Sequence, residues 1–367
     1  MKRSLFFCVV STIACGQGKI TIEECSGDDC PTEESEQEES VEDSATPTSA
    51  TEPSGEPAAE PEVSVDSMDN DGDGYSENDG DCDDTDPDIS PIGSDESVDG
   101  VDQNCDEVDG VDDDGDGVAS EQSGGDDVDD TRVDVSPNIS EACDYLDNDC
   151  DGVINNDRTC LVYAHSSNTL YEVDPFNMTI SEVSSVPTLY DFDTDMSGTL
   201  YGISPPSIVY MFDETNLSWT QVATLNHNYG TLNGFCIDST NRIYATVGNS
   251  VFTIDASTGN VALIGDLGGS FHSSGDCVVD KIDGIYMTSQ GSGGDDLVRI
   301  NSATGEGTLV GNTGVVGIYG LTSDWGYMFG FTGSGDLIRI EKTTGASVYL
   351  HTFPNIVFYG AASSSMR

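Results

Sequence analysis

Basic residues are scarce: 11 Lys and Arg stand against 69 Asp and Glu in 367 residues, a formal charge of -58. Such a surface repels polyphosphates and anionic lipids, which argues against nucleic acid and acidic membrane faces as partners and in favour of cations. Long apolar runs are also missing. The "SLFFCVVSTIA" run at residues 4–14 is too short to cross a bilayer as a permanent helix. Histidine numbers 4 and tryptophan 2. No nucleophile–base spacing, zincin helix or phosphate-cradling glycine loop is visible, so no catalytic residue is assigned and the chain reads as a non-enzyme. The cysteines form no C-x2-C pair and sit among hard carboxylate oxygens, which disfavours thiolate zinc.

What is present is segmental. Of the acids, 49 precede Leu161, and residues 66–157 hold 34 of them with one base, Arg132. From Leu161 onward the count is 20 acids and 6 bases with regular apolar clusters, so those 207 residues are the part able to bury a core. Lys2 and Arg3 before the short apolar run read as an export signal over residues 1–15, placing the protein outside the cytoplasm, lipid-anchored at the bacterial outer membrane or cell surface or else secreted. "TIAC" is similar to a bacterial lipobox in which Cys15 becomes lipidated, with Thr12 where an aliphatic residue is usual. A lipid would then be the only membrane attachment. Residues 16–65 read as a disordered acidic linker, mostly Glu, Ser, Thr and Pro without aromatics beyond residue 32. Eleven cysteines suit an oxidising compartment. Cys25 with Cys30, Cys82 with Cys105 and Cys143 with Cys150 are candidate local bridges, and Cys236 and Cys277 read as two buried thiols.

Residues 66–158 repeat themselves. "DNDGDG" at residues 69–74 returns as "DDDGDG" at 112–117, and "DGVDQNCDE" at 99–107 returns as "DYLDNDCDG" at 144–152. In D-x-D-x-D-G, oxygens at positions 1, 3 and 5 converge on one cation and the glycine permits the sharp turn. Four loops fit: Asp69, Asp71 and Asp73; Asp102, Asn104 and Asp106; Asp112, Asp114 and Asp116; Asp147, Asp149 and Asp151. The second has Glu107 where glycine is expected, and must accept an unusual backbone conformation or abandon the turn. The bidentate Glu of an EF-hand's twelfth position is replaced by Gly80 and Ser123, so further ligands must be borrowed. Asp81 and Asp83 are the preferred donors beside the first loop, with Asp84 and Asp86 in reach, and Asp126, Asp127, Asp129 and Asp130 follow the third. Calcium is the expected cofactor, because flexible, ligand-rich loops suit it better than the strict octahedron of magnesium.

"DNDGDGY", "GDCDDTDP" and "CDYLDNDCDG" in that order resemble the MopE-type metal-binding repeat of bacterial surface and secreted proteins, over residues 69–157. The loops also look like the calcium-wired type 3 repeats of thrombospondins. Val98 matches Cys143 and Val128 stands near the match to Cys82, so each copy lacks a different cysteine of the family pattern. A copper role attaches to the family's namesake, but no local His, Met or Trp cluster carries it over.

Residues 159–367 carry a second period. Tyr163, Tyr201, Tyr244, Tyr286 and Phe329 centre short strands 38 to 43 residues apart, and "VFTIDASTG", "LVRINSATG" and "LIRIEKTTG" place apolar alternation before a turn. Units of about 42 residues without helical pattern read as four-stranded propeller blades. The expected fold is mainly β, a five-bladed β-propeller whose last strand, in "VFYGAASS", completes the first blade; a β-sandwich is the competing fold. All four histidines fall on the face that carries propeller ligands, so His165, His227, His272 and His351 form a candidate pocket. Three functions stay open: a calcium-stiffened stalk presenting a propeller to a protein or glycan, a glycan-active propeller enzyme, and a structural calcium-binding envelope component. For the enzyme, Asp191, Asp193, Asp276 and Asp324 are the nearest carboxylates.

Overall fold

The computed structural model describes residues 67–156, 158–280 and 284–363. The export signal, Cys15, the linker and the Cys25 and Cys30 pair lie outside these residues.

From Val162 onward the chain forms five four-stranded antiparallel sheets. Blade 1 contains β1 (Val162–His165), β2 (Thr169–Asp174) and β3 (Thr179–Ser185). Blade 2 runs through β4 (Asp191–Thr194), β5 (Leu200–Ser204), β6 (Ile208–Asp213) and β7 (Ser218–Thr224). Blade 3 follows as β8 (Gly234–Ile237), β9 (Ile243–Val247), β10 (Ser250–Asp255) and β11 (Asn260–Asp266). Blade 4 is β12 (Ser273–Asp280), β13 (Gly284–Gln290), β14 (Asp295–Ile300) and β15 (Gly307–Asn312). Blade 5 is β16 (Ile318–Asp324), β17 (Tyr327–Thr332), β18 (Asp336–Ile340) and β19 (Ser347–Thr352). The last strand, β20 (Gly360–Ala362), returns to pair with β1, Ala361 opposite Ala164, and completes blade 1. This closure leaves no innermost edge unpaired.

The residues explain the blades. Innermost strands β4 and β8 are buried at every position, whereas the outermost β7 and β11 are mostly exposed, with only Ala223 fully buried between them. An acidic or amide side chain organises each outer hairpin: Asp174, Asp213, Asp255, Asn301 and Glu341 all accept the backbone N–H two residues ahead. A bulge recurs at the same point of all five outer pairs, as between Val251 and Phe252, and adds the twist a propeller blade needs. The core is divided into five wedges between neighbouring blades, one centred on Phe235 and Phe252 and another on Phe329, Phe331 and Phe358.

Residues 67–156 contrast with this. Their regular structure is a single turn of 3-10 helix, Glu77–Asp79, and an isolated bridge between Ser120 and Asp127. Their fully buried apolar residues are few: Ile89, Ala119, Val135 and Cys143.

Disulfides correct two expectations. Cys82 pairs with Cys105 as anticipated, but Cys143 pairs with Cys160, and Cys150 is free. Cys236 and Cys277 are bonded rather than buried as separate thiols. Their spacing suggested equivalent positions, yet Cys277 faces Met287 where its counterpart Phe235 faces Ala245, and Cys236 faces Tyr244. Cys277 thus stands one residue out of step with Cys236, so the two side chains leave opposite faces of their strands and meet across adjacent blades.

Candidate metal centres and axial cavity

All four loops share one scaffold of carboxylate-to-backbone bonds. In the first, Asp69 accepts from Gly72 N at 2.6 Å and Gly74 N at 3.1 Å, Asp71 from Asp73 N at 3.1 Å and Asp73 from Tyr75 N at 2.9 Å. Asp112, Asp114 and Asp116 repeat the pattern toward Gly115, Gly117, Asp116 and Val118. Asp69 and Asp112 spend both oxygens on backbone N–H groups, whereas Asp71, Asp114 and Asp116 spend one and keep the second. Asp71 Oδ2, Asp114 Oδ2 and Asp116 Oδ2 are buried without a hydrogen-bond partner. The glycine at the sixth position sits at φ 110° in the first loop and 92° in the third. Glu107 keeps the turn by adopting φ 77°, donating its N–H to Asp102 at 2.9 Å.

The borrowed ligands come from downstream. Oxygens of Asp71, Asp81 and Asp84 lie within 4.8 Å of one another, as do those of Asp69, Asp71 and Asp73. The second copy assembles Asp112 with Asp114 and Asp130, and Asp114 with Asp116 and Asp127. Asp81 and Asp127 correspond, each with its Oδ2 buried and unpaired. Asp84 and Asp130 correspond too, held by the backbone N–H of Asn70 and of Asp113. Asp83, preferred from sequence, is exposed and caps Thr85 instead. It stands between two buried ligands because the turn after Asp81 directs both Cys82 and Asp83 to solvent before Asp84 turns back in.

At the fourth loop Asp147 and Asp149 gather with Glu141, a residue that sequence reasoning missed. Glu141 is 1% exposed and accepts the backbone N–H groups of Asn148 and Asn155. The acid shortly after Pro91 and Pro137 in both copies was the available signal, since Asp95 is its counterpart, buried with both oxygens unpaired. Asp151 is turned away: one oxygen accepts Val153 N and the other the Asn156 amide. Among the described residues, no three acidic groups converge at the second loop, where Asn104 replaces a carboxylate and donates to Asp106.

These groups fit a hard divalent cation. Partial burial, then neighbouring carboxylates, raises the pKa of Asp71, Asp127 and Asp130. Burial likewise raises Glu141. Clustered carboxylates without cationic partners carry a charge that an ion neutralises, and the inward oxygens supply all-oxygen coordination.

The histidines do not converge. His165 is fully buried in β1, its Nδ1 2.7 Å from the Ser166 carbonyl, and burial lowers its pKa to about 4. His227 bonds Ser207 Oγ at 2.8 Å and stacks on Tyr229, His272 bonds the Ser270 carbonyl, and His351 packs edge-on against Phe353.

A cavity of about 870 Å³ opens on the same face without any of them. Its floor is a ring of matching positions, one per blade: Tyr190, Asn233, Gly275, Tyr319 and Tyr359. The next residue in each blade, Asp191, Gly234, Asp276, Gly320 or Gly360, faces the axis. A Cβ on Gly320 would lie 2.9 Å from the Gly360 carbonyl carbon, and one on Gly360 would lie 2.7 Å from His165 Nε2 and 3.0 Å from Asp191 Oδ1. The axis therefore admits only two side chains, and Asp191 and Asp276 face each other across it. Both are fully buried, and burial pushes both pKa values well up. Asp191 also accepts Phe192 N and Phe235 N, and Asp276 accepts Leu321 N, so the pair stitches blades 2 to 3 and 4 to 5.

No curated protein matches the chain. Among solved structures, the nidogen/laminin complex aligns at 12% identity and TM-score 0.42, covering 56% of this chain and 99% of that one. A protein of unknown function from Bacteroides thetaiotaomicron aligns at 15% identity and TM-score 0.40, over 53% of this chain and 58% of that one. An auxiliary nutrient binding protein from Bacteroides ovatus aligns at 12% identity and TM-score 0.34, over 52% and 54%. The Asp-rich segment matches the MopE family model, described as "Putative metal-binding motif", three times, at residues 52–78, 81–109 and 127–156.

Proposed function

We propose that this is an exported, surface-anchored calcium-binding protein whose Asp-rich segment forms an ion-stiffened stalk and whose propeller recognises a protein or glycan. One observation carries the calcium reading: Asp71, Asp81, Asp114, Asp116 and Asp127 each hold a buried, unpaired oxygen within the two composite clusters. An all-carboxylate set in irregular loops favours calcium over softer ions. Cys15 would supply the anchor. No reaction is assigned. A glycan-active enzyme would need axial carboxylates at its substrate, and Asp191 and Asp276 are sealed beneath the cavity floor.

The test is calorimetry and circular dichroism of the full chain, stripped with chelator and titrated with calcium. Heat and ordering are expected at about 0.1–1 mM, the range of extracellular modules. Silence at millimolar calcium would sink the reading. Cell fractionation with Cys15→Ser tests the anchor, with release into the soluble fraction expected.

A further inference from the structure

The axial cavity has two unlike walls, and the blades divide them. Tyr190, Tyr319 and Tyr359 come from blades 2, 5 and 1, consecutive around the ring, with 39%, 36% and 41% of their surfaces exposed. Val316 and Val357, both exposed, extend that arc. Blades 3 and 4 answer with Asn233, Ser274 and Gln290, and with Gly275, which leaves a gap in the ring. Asn233 Oδ1 and Ser274 Oγ are buried in the cavity wall without a hydrogen-bond partner, so a modest turn of either side chain is needed to present it to a ligand.

An aromatic arc opposite an arc of neutral donors and acceptors suits a ring with one C–H face and a rim of hydroxyls. The negative face of a tyrosine ring attracts C–H hydrogens polarised by adjacent oxygens. Unpaired amide and hydroxyl groups regain bonds from ligand hydroxyls. None of the residues lining the cavity is Lys, Arg or His, so phosphate, sulfate or uronate groups would find no charge partner. The one carboxylate in the wall, Asp295, is 5% exposed and already accepts Ile318 N at 2.9 Å. The volume falls within the range of small-ligand sites, roughly 300–1,000 Å³.

We propose that the axial cavity binds a neutral carbohydrate, stacked on Tyr190, Tyr319 and Tyr359 and read at its hydroxyls by Asn233, Ser274 and Gln290. This rests on the recognition role proposed for the propeller and narrows its ligand to one class.

Full-length protein in calcium is titrated by calorimetry with neutral glucan and mannan oligosaccharides and with oligogalacturonate. Tyr319→Ala, Tyr359→Ala and Tyr319→Phe are compared with Tyr349→Ala, an exposed tyrosine on β19 outside the cavity, and thermal melts confirm folding. A neutral oligosaccharide should bind, each cavity alanine should weaken it by about tenfold or more, and Tyr319→Phe and Tyr349→Ala should retain it. No neutral binding at ~10 mM, a preference for oligogalacturonate, or indifference to the cavity alanines would overturn the proposal. Purified envelope proteins are passed over the same immobilised chain. Capture of one that Tyr319→Ala loses, with no sugar binding, removes the carbohydrate class and keeps the recognition role. Absence of both removes the two together.

Discussion

Cys105 and Cys150 occupy matching points of the two copies, with nearly the same backbone, φ 58° and 57°. Cys82 donates its backbone N–H to Cys105 sulfur at 3.1 Å, and Val128 does the same toward Cys150. Val128 therefore sits where a bridging cysteine belongs, and Cys150 is free because its partner is a valine. Val128→Cys should form a 128–150 bridge without backbone movement, visible in a non-reducing peptide map, and stabilise the calcium-free segment by ~3 kcal/mol. A free pair of thiols at 128 and 150 in oxidised protein would refute the equivalence. The axial pair offers a second residue-scale prediction. Asp191 and Asp276 have folded pKa values above their unfolded ones, so folded protein holds a proton that unfolded chain releases once pH exceeds about 4. Their contribution is neutral below that pH and increasingly destabilising as pH climbs toward the folded pKa. In Asp276→Asn, Oδ1 can still accept Leu321 N while the amide donates to Asp191. The variant should melt higher than the parent at pH 7, by about 1.4 kcal/mol for each unit of elevation removed, and the gap should close near pH 4. A gap that widens toward acid would reverse the assignment.

At the scale of elements, the loops and blades differed in how much could be read in advance. The D-x-D-x-D-G loops were legible because one local pattern fixes both the turn and the oxygens, and the acids of Asp69, Asp71 and Asp73 do converge. The blades were legible because each carries an aromatic-centred strand and an acidic or amide hairpin turn at a fixed period. What escaped was long-range and depended on side-chain direction. Asp83 and Asp84 are adjacent in sequence but point opposite ways, and Glu141 joins the fourth loop from outside it. The cavity tyrosines escaped because they stand at the start of the innermost-strand pattern, Tyr319 within β16 itself, and only ring closure brings these positions together. Side-chain direction also sets the next prediction. Asp127→Asn should weaken calcium binding at its site by about tenfold, ~1.4 kcal/mol, since it loses a charged ligand with an unpaired oxygen. Asp83→Asn should leave every site unchanged. Because the raised carboxylates Asp71, Asp127 and Asp130 release protons when an ion binds, calcium affinity should fall as pH falls toward their folded pKa values. Calorimetry in buffers of different ionisation enthalpy reads both.

For residues 67–363 the stalk and propeller are joined by more than chain continuity. The Cys143–Cys160 bridge ties the approach to the fourth loop to a point two residues before β1, and Cys143 itself belongs to the wedge between blades 1 and 5. Tyr145 enters the same region, edge-on to Phe176 at 4.8 Å and Tyr327 at 5.4 Å, with the Arg339 guanidinium 4.9 Å from its ring centre. Units joined only by the chain would let calcium order the stalk with little effect on the propeller. The geometry predicts otherwise, because an ion held by Glu141, Asp147 and Asp149 fixes the loop that carries Tyr145 against two blades. Calcium at ten times its dissociation constant stabilises the state that binds it by about 1.4 kcal/mol per site. If that free energy reaches the propeller, its melting temperature should rise by about 3–5 °C for a domain of this size. Tyr145→Ala should abolish most of the calcium-dependent rise while calorimetry still reports calcium binding, with the wild-type chain as reference. A propeller transition that ignores calcium in the wild-type chain would mean the bridge and the aromatic contact are passive, leaving stalk and propeller to fold as independent units.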